Sequence, residues 1–404
     1  MIIQPKVRGF ICINAHPQGC AANIGEQIDY IKSQPALEEV CAKPGPKNVL
    51  IVGSSTGFGL ASRIMAAFGC GANTLGVFFE KPPTDKKTAS AGYYNAAALD
   101  KAAKAAGLYC KSINDNGFSH ACRRRVVETI QQDFIDGGLG KIDLVIYSVA
   151  APRREDPDTG ELFSNVLKPL GEAVTQKNLN TDKLEVSDIT IEPATDAEIQ
   201  GTVKVMGGED WELWADALLK GNVLNTGCIV TSYSYIGDKL TWPIYGKAAI
   251  GKAKQDLDRA AKAINEKLQA IDGVCRVSVL KAVVTQSSSA IPIMPLYIST
   301  LFKVMKANGT HEGCIEQLYR LYTECLFNDS PRLDEQGRFR VDNKELDPAV
   351  QGEVEKIWPQ VTSDNLKELT DYDGYHAEFL RLFGFGLKGV DYDADTSPLV
   401  DADF

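Results

Sequence analysis

Two tyrosines and a lysine in the second half of the chain carry side chains suited to acid–base chemistry at a carbonyl group. Tyr235 lies two residues after an expected strand (228–233), Tyr245 comes ten residues later, and Lys254 follows nine residues after that. A tyrosine hydroxyl can give a proton or a hydrogen bond to a carbonyl oxygen, but its ordinary pKa is about 10. Because a nearby ammonium group stabilises the phenolate, such a tyrosine needs a lysine close by. The residue types predict proton transfer assisted by a tyrosine and a lysine.

Spacing leaves two lysines open as the partner of Tyr245. Lys252 is seven residues away, which is about two helical turns and the same helix face. Lys254 is nine residues away, and that spacing works only if Tyr245 precedes the regular helix, which Gly246 permits. In the simpler alternative, the tyrosines are core or surface residues and the lysines lie on a solvated face.

A glycine-rich turn near the start of the chain indicates which kind of cofactor binds beside these side chains. Four apolar residues (49–52) lead into glycines at 53, 57 and 59, and apolar residues at helical spacing follow. A buried parallel strand that turns sharply into a helix has this pattern, and the helix amides then face a pyrophosphate. The spacing Gly-x3-Gly-x-Gly resembles that of the short-chain dehydrogenases. We therefore predict a dinucleotide-binding turn.

Glu80 stands at the end of the next apolar run (74–79), 21 residues after Gly59. An acidic side chain at this place accepts hydrogen bonds from the ribose hydroxyls and repels a 2′-phosphate, which favours NADH over NADPH. Three lysines close by, at 81, 86 and 87, weaken this discrimination. The alternative is an ordinary solvated glutamate at a strand terminus.

Strand and helix patterns alternate along most of the chain, which predicts an α/β fold with a Rossmann-type, doubly wound parallel sheet. The expected strands are 49–52, 74–79, 108–113, 142–147, 228–233 and 274–280. Residues 152–194 interrupt the alternation and are interpreted as an inserted flap, and residues 331–345 as a loop or hairpin. We expect residues 1–404 to form one enlarged dinucleotide-binding domain with extra C-terminal helices, with substrate-binding segments at 152–194 and 286–330. We also expect a turn-rich loop at residues 14–20, a helix interrupted at Gly207 and Gly208, and a frayed acidic tail at the end of the chain.

Composition argues against several classes of protein, namely those that bind nucleic acid, insert into membranes or hold a metal ion. The 404 residues carry a formal charge of −10, which argues against a nucleic-acid partner, and the basic triplet at 123–125 is expected on an exposed helix face. No apolar run is long enough to cross a membrane, so we expect no membrane insertion and a cytoplasmic protein. The ten cysteines include no Cys-x2-Cys pair, and no metal site is expected.

Motifs spread along the whole chain identify a family. They are the opening IIQPKVRGFICINAHPQGC, then GSSTGFGLA, FFEKP, DLVIYSVAAPRR, VKVMGGEDW, SYSYIG, WPIYGKAAIGKAKQDLD and VVTQSSSAIPIMPLY. Together they resemble the long bacterial enoyl reductases, which are NADH-dependent trans-2-enoyl-CoA reductases and enoyl-acyl-carrier-protein reductases. The resemblance is strongest to the clostridial enzymes that act on short enoyl-CoA substrates such as crotonyl-CoA.

The resemblance implies residue roles. It selects Tyr245 and Lys254 as the catalytic pair, leaves Lys252 second, and places Tyr235 against the substrate. The implied NADH contacts are Gly53, Ser54, Ser55, Thr56, Gly57, Phe58, Phe79, Glu80, Asn116, Gly117, Val149, Ala150, Lys254, Val283, Val284 and Thr285. The family has Asp-Ala where this chain has Asn116-Gly117, which puts the adenine contact in doubt, and Asp115 is the alternative.

The implied reaction is reduction of the trans-2 double bond of a short-chain enoyl-CoA by NADH in fatty acid metabolism, and enoyl-acyl-carrier protein stays open as the alternative substrate. We expect the enzyme to be a monomer. Two other functions share part of the pattern. A carbonyl reductase acting on 3-ketoacyl thioesters would use the same cofactor and tyrosine–lysine chemistry. An NADH-binding sensor protein would need the glycine turn and Glu80, but neither Tyr235 nor the pair of Tyr245 and Lys254.

Overall fold

The computed structural model describes residues 1–41 and 43–404, and thirteen strands lie within them. In chain order they are β1 (Val7–Arg8), β2 (Ile11–Cys12), β3 (Asn48–Val52), β4 (Asn73–Phe78), β5 (Cys110–Asn114), β6 (Ile142–Tyr147), β7 (Arg153–Glu155), β8 (Leu162–Ser164), β9 (Val174–Asn180), β10 (Glu185–Ile191), β11 (Leu224–Ser234), β12 (Val274–Val279) and β13 (Phe339–Arg340). Seven of them form one parallel sheet in the order β13-β12-β11-β6-β3-β4-β5. The other six form three antiparallel hairpins: β1–β2, β7–β8 and β9–β10.

The chain builds the sheet outward in both directions from β3. It passes through β4 to β5 at one edge, returns to β6 on the other side of β3, and then adds β11, β12 and β13. The strand order therefore reverses between β3 and β6, and ligands of doubly wound sheets bind in the crevice at such a point, beyond the carboxyl ends of the strands. The predicted α/β fold with a doubly wound parallel sheet is confirmed.

Fourteen α-helices lie in the described ranges, and seven of them cover the two faces of the sheet. They are α1 (Pro17–Ser33), α2 (Leu37–Val40), α3 (Gly57–Ile64), α4 (Ala91–Ala105), α5 (His120–Thr129), α6 (Asp196–Met206), α7 (Glu209–Lys220), α8 (Ala249–Leu268), α9 (Gln286–Ser289), α10 (Met294–Ala307), α11 (Cys314–Leu321), α12 (Pro348–Ile357), α13 (Leu366–Leu369) and α14 (Tyr372–Arg381). Helices α5, α7 and α8 share an apolar core with one face of the sheet, and α1, α3, α4 and α11 share a core with the other. None of the described helices combines the length and the apolar character needed to cross a bilayer.

A third apolar core lies outside the sheet and surrounds α10. Eleven of the fourteen residues of α10 are buried. Side chains from α12, α14, the N-terminal segment and the turn before α4 pack around this helix. The β9–β10 hairpin reaches the same region, where Asn178 accepts a hydrogen bond from the amide of Ile293 at 3.0 Å. The predicted flap and the C-terminal helices therefore meet at the N-terminal end of α10.

The predicted interruption between α6 and α7 is confirmed, and packing explains it. A Cβ atom on Gly208 would lie 2.1 Å from the Cβ atom of Ala260 in α8, so the close approach of α7 to α8 requires glycine there.

The loop predicted for residues 14–20 is wrong in its second half, because α1 already begins at Pro17. Proline suits the first helical turn, where its missing N–H has no partner to lose. His16 is the N-cap residue, and its Nδ1 accepts a hydrogen bond from the amide of Gly19 at 3.1 Å. His16 therefore has a structural role at the start of α1.

The exposed position predicted for the basic triplet is wrong for Arg123. This side chain is 2% exposed and pairs with the equally buried Asp210 of α7, whereas Arg124 and Arg125 are exposed. Tyr147 donates a second hydrogen bond to Asp210 at 2.8 Å. Because the neutralising carboxylate lies 87 residues away, the local sequence gives no sign of the pair.

Of two expectations about the C-terminal part of the chain, the first is confirmed and the second is wrong. Residues 331–345 form a short hairpin, in which Leu333 pairs antiparallel with Phe339, and its second arm is β13, the seventh strand of the sheet. The acidic tail is not frayed but packed: the hydroxyl of Tyr94 donates to the carbonyl of Pro398 at 2.6 Å. The ring of Phe404 packs edge-on against Phe78 and Tyr93.

Candidate functional site

The turn between β3 and α3 lies in the crevice at the reversal of strand order, and two of its glycines are required by close backbone contacts. Gly53 has φ 88°, and a Cβ atom there would lie 2.2 Å from the carbonyl oxygen of Ser148 at the end of β6. A Cβ atom on Gly59 would lie 1.9 Å from the carbonyl oxygen of Gly53. Because both positions exclude any side chain, the helix start is held tightly against the strand ends. The first amides of α3 then face the crevice, as pyrophosphate binding requires.

The ends of β6 and β12 border the same turn. Val149 and Ala150 directly follow Ser148, whose carbonyl contacts Gly53. Val283 and Val284 are buried beyond β12, and Thr285 caps α9 by accepting a hydrogen bond from Ser288 at 3.0 Å. A Cβ atom added to Gly57 would lie 3.4 Å from the methyl group of Thr285. The structure thus brings three separated predicted contact segments together around one turn.

Glu80, at the carboxyl end of β4, is held in place from three sides. Its Oε1 accepts a hydrogen bond from the hydroxyl of Ser55 at 2.7 Å. Its backbone exchanges two hydrogen bonds with the side chain of Asn114, at 2.8 and 2.9 Å. A Cβ atom on Gly92 of α4 would lie 2.0 Å from Oε1. The neighbouring Phe79 is 78% exposed, so its apolar ring is open to a planar partner.

The loop after β5 contains the predicted adenine contacts. Asp115 accepts a hydrogen bond from the amide of Asn116 at 2.7 Å, and Asn116 accepts one from Phe118 at 3.1 Å. The carbonyl of Gly117 accepts from the indole of Trp214 at 3.0 Å. A Cβ atom on Gly117 would make only an ordinary contact with Val52, at 3.7 Å, so this backbone would also accept the alanine of the family pattern.

Two of the three tyrosines near the end of β11 lie together, and one does not. The rings of Tyr235 and Tyr245 are 5.0 Å apart, edge to face, and Tyr245 is 9% exposed. Tyr233 points instead into the core under α3, where its hydroxyl shares a hydrogen bond with Ser62 at 2.6 Å. Within the described residues, no protein group bonds the hydroxyl of Tyr245, whereas that of Tyr235 donates to Glu345 at 2.8 Å.

The structure distinguishes the two candidate lysines. Tyr245 lies in the turn before α8, which begins at Ala249, so the condition for the nine-residue spacing is met. The ammonium group of Lys254 points inward and donates to the carbonyl of Tyr233 at 3.0 Å, whereas Lys252 is exposed. Lys254 therefore faces the strand end that carries the tyrosines, and Lys252 faces solvent.

Burial shifts the pKa of Tyr245 and the pKa of Lys254, each in the direction that favours the uncharged side chain. It raises the pKa of Tyr245, which stays a neutral phenol and hence a proton donor. It also lowers the pKa of Lys254 to about 8, an effect that nearby Asp258 opposes. Lys254 is then mostly protonated at neutral pH but loses its charge in mildly alkaline solution.

Sequence reasoning missed Gly92, Tyr297 and Glu345. Gly92 makes room for Glu80, and Tyr297 and Glu345 bond to one another at 2.7 Å behind Tyr235. Tyr297 sits in an apolar helix, and Glu345 in an irregular segment, so neither carries a local pattern that marks it.

The chain is similar to known proteins over its whole length. The family described as "Trans-2-enoyl-CoA reductase catalytic region" matches residues 87–327, and "NAD(P)H binding domain of trans-2-enoyl-CoA reductase" matches residues 2–85. An enoyl-[acyl-carrier-protein] reductase [NADH] from Saccharophagus degradans is 62% identical over all of both chains. The trans-2-enoyl-CoA reductases of Treponema denticola, solved with NAD, and of Clostridium acetobutylicum, solved with NADH, are 45% and 41% identical. Each aligns over 98% of both chains with a TM-score of 0.93.

The chain belongs to the trans-2-enoyl-CoA reductase family, whose members reduce enoyl thioesters with NADH. The resemblance stated from the motifs is thereby confirmed, as is NADH as the cofactor.

A third matching region, residues 333–396, carries the description "Enoyl reductase FAD binding domain". The residues present do not fit a flavin dinucleotide. The region holds one two-residue strand and three helices, and the buried side chains of α12 and α14 belong to the core around α10. It contains no strand that turns through glycines into a helix, so we assign no flavin step to this chain.

Proposed function

We propose that the protein reduces the trans-2 double bond of short-chain enoyl thioesters, such as crotonyl-CoA to butyryl-CoA. The observation that carries the proposal is the pairing of Tyr235 with Tyr245 at the carboxyl end of β11, where the ammonium of Lys254 bonds the carbonyl of Tyr233. A protein that only binds the cofactor has no need of these groups. The family to which the chain belongs supports the same reaction.

In this proposal the residues of the turn hold the cofactor. The amides of residues 53–58 face the pyrophosphate, and Glu80, fixed by Ser55, accepts hydrogen bonds from the adenosine ribose. Phe79, Asn116 and Gly117 surround the adenine. Val149, Ala150 and residues 283–285 border the nicotinamide half, and Lys254 bonds its ribose.

The tyrosines act on the substrate. Bound NADH would supply the hydride for the β-carbon of the enoyl group. Negative charge then develops on the thioester oxygen, where a fixed hydroxyl donor stabilises it most. Tyr245 is the donor and proton source, Tyr235 orients the carbonyl, and the ammonium of Lys254 stabilises phenolate character on Tyr245.

Segments 152–194 and 286–330 supply the acyl-binding walls in this proposal, and one enlarged domain carries both. They meet at the hydrogen bond between Asn178 and Ile293, and the apolar helix α10 follows directly. Such a cover excludes water from the developing charge. The monomeric state and the cytoplasmic location stay predictions from sequence.

The carrier of the acyl chain is a second part of the proposal. The family names point to coenzyme A, but the Saccharophagus relative at 62% identity is named for acyl carrier protein. We infer that both carriers are accepted, because the chemistry involves the enoyl thioester and not the carrier.

The test is NADH oxidation with crotonyl-CoA, the matching crotonyl-acyl-carrier protein, and acetoacetyl-CoA, with NADPH in parallel. The proposal expects turnover of both enoyl substrates and preference for NADH. Oxidation with acetoacetyl-CoA alone would make the protein a carbonyl reductase. NADH binding without turnover of any enoyl thioester would support the sensor alternative.

A further inference from the structure

A buried carboxylate lies directly behind the substrate-facing tyrosine. Glu345 is completely buried, and its Oε1 accepts hydrogen bonds from the hydroxyls of Tyr235 at 2.8 Å and Tyr297 at 2.7 Å. Its Oε2 accepts from the amide of Ala282 at 2.6 Å. Glu345 therefore joins the end of β11, the end of β12 and α10 at one point.

The number of protons decides what Tyr235 can do. A phenol has one proton, and in this arrangement Tyr235 gives it to Glu345. The contact between Tyr235 and Thr241 is 3.5 Å long, which is too long to compete. An ionised carboxylate accepts hydrogen bonds but cannot donate one. While Glu345 is ionised, Tyr235 therefore has no proton left for a thioester oxygen.

Burial favours the neutral form of Glu345, whereas the groups that face it favour the ionised form. Burial raises the pKa of Glu345, and the ammonium of Lys281, the amide of Ala282 and the hydroxyls of Tyr297 and Tyr235 oppose this shift without cancelling it. Burial also lowers the pKa of Lys281, whose ammonium donates to the carbonyls of Ala282 and Glu312 and forms no hydrogen bond with the Glu345 carboxylate.

The remaining neighbours bring little charge to Glu345. Gln351 donates to the carbonyl of Glu345 at 2.7 Å and to the hydroxyl of Tyr297 at 3.1 Å. The carboxylate of Glu312 is engaged by Arg320 and Lys344.

We propose that Glu345 is a positioning residue that acts as a neutral carboxylic acid. Its proton bonds to the phenol oxygen of Tyr235, and the proton of Tyr235 is then free to point at the thioester oxygen. With Glu345 already protonated, no covalent bond changes in this step: the hydrogen bond between Glu345 and Tyr235 reverses direction, and Tyr235 forms a new one to the thioester oxygen. Tyr297 continues to donate to Oε1 and the amide of Ala282 to Oε2, so the carboxyl group stays fixed. The inference rests on the proposed function. It adds the protonation state of Glu345 in which Tyr235 can donate to the thioester oxygen.

The variant Glu345→Gln separates this proposal from a purely structural role. Its amide donates to Tyr235 as the neutral acid would, but it does not titrate. With crotonyl-CoA we expect Glu345→Gln to keep kcat within about threefold. Glu345→Ala should lower kcat about 100-fold, because Tyr235 keeps its proton but is no longer held in place. Ionisation of Glu345 and loss of charge on Lys254 should each lower the wild-type rate as pH rises, whereas in Glu345→Gln only the fall through about pH 8 that comes from Lys254 should remain.

Glu312→Gln is the matched control, because Glu312 is also buried and paired but does not touch Tyr235. It should leave the pH profile unchanged, even if it lowers thermal stability. Equal loss of kcat in the Gln and Ala variants of Glu345, or a Glu345→Gln profile identical to wild type, would overturn the proposal.

A second readout does not depend on turnover. Infrared difference spectra across a pH step should show the carbonyl stretch of a protonated carboxylic acid in the wild type and in Glu312→Gln, and not in Glu345→Gln. Absence of that band from the wild-type protein at neutral pH overturns the proposal. If the wild type reduces no enoyl thioester, the proposed function fails, and the infrared result still decides whether Glu345 is neutral.

Discussion

Gly92, in the first turn of α4, leaves the space in which the carboxylate of Glu80 lies, since a Cβ atom there would be 2.0 Å from Oε1. The carboxylate is thereby pressed against Ser55, in the turn that carries Gly53 and Gly57. The acidic group that would bind the adenosine ribose and the turn that would bind the pyrophosphate form one rigid unit. Cofactor selection then depends on a glycine outside the glycine-rich motif.

The substitution Gly92→Ala should therefore weaken NADH binding. A methyl group at this position forces the Glu80 carboxylate to move, and losing a hydrogen bond to a charged group costs about 1.5 kcal/mol or more. We expect the Kd for NADH to rise about tenfold and the preference for NADH over NADPH to shrink, as measured by fluorescence titration with each cofactor.

Gly352→Ala provides the control for that substitution. Gly352 also lies in a helix, α12, but a Cβ atom there would meet nothing within 4 Å. It should bind NADH as the wild type does and be slightly more stable, because alanine is the better helix former. Unchanged NADH affinity in Gly92→Ala would show that Glu80 has room to move without cost.

The substitution Tyr245→Phe should abolish most of the turnover while cofactor binding persists. It removes the hydroxyl proposed to stabilise charge on the thioester oxygen, and loss of one such donor lowers kcat about 100- to 1,000-fold. The measurement is kcat with crotonyl-CoA together with an NADH titration.

Tyr233→Phe is the matched comparison for Tyr245→Phe, since Tyr233 is equally buried but bonds Ser62 in the core. That variant should lose some stability and keep kcat. A Tyr245→Phe enzyme with wild-type turnover would remove the role proposed for this hydroxyl.

The sequence could predict those site residues that their immediate sequence neighbours mark, and not those that matter only through contacts with distant parts of the chain. Gly53, Glu80 and Tyr245 stand at the ends of strand patterns or before helix patterns, and the position of a strand end in a parallel sheet follows from its order in the chain. Glu345 and Gly92 matter only through contacts with Tyr235 and Glu80, at sequence separations of 110 and 12 residues. The choice between Lys252 and Lys254 required the start of α8, a boundary that residue patterns fix only to within a few positions.

Lys254 gives a prediction about pH. Its pKa is lowered to about 8 by burial, so the side chain is charged below this pH and neutral above it. Because the proposed bond to the ribose and the effect on Tyr245 both need the ammonium group, kcat/KM should fall as pH rises through about 8. Lys254→Ala should lower kcat/KM at least about tenfold at neutral pH, as expected for a lost hydrogen bond from a charged group.

Lys252→Ala is the control for Lys254→Ala, because Lys252 lies two residues away on the same helix and is exposed. Its kcat/KM and its pH profile should match those of the wild type. If Lys252→Ala were the impaired variant and Lys254→Ala the normal one, the assignment made from the direction of the two side chains would be reversed.

The pair of Arg123 and Asp210 allows a prediction about stability that does not depend on the reaction. Both side chains are 2% exposed, and Asp210 also accepts from Tyr147. Arg123→Ala leaves the carboxylate of Asp210 buried with its main positive partner gone. Removing one member of a buried pair costs about 3–5 kcal/mol, whereas Arg124→Ala, at the exposed neighbouring position, should stay within about 0.5 kcal/mol of the wild type. Urea unfolding of the three proteins measures the difference. A cost below about 1 kcal/mol for Arg123→Ala would mean that Arg154, whose Nε lies 3.9 Å from Asp210, takes over as its partner.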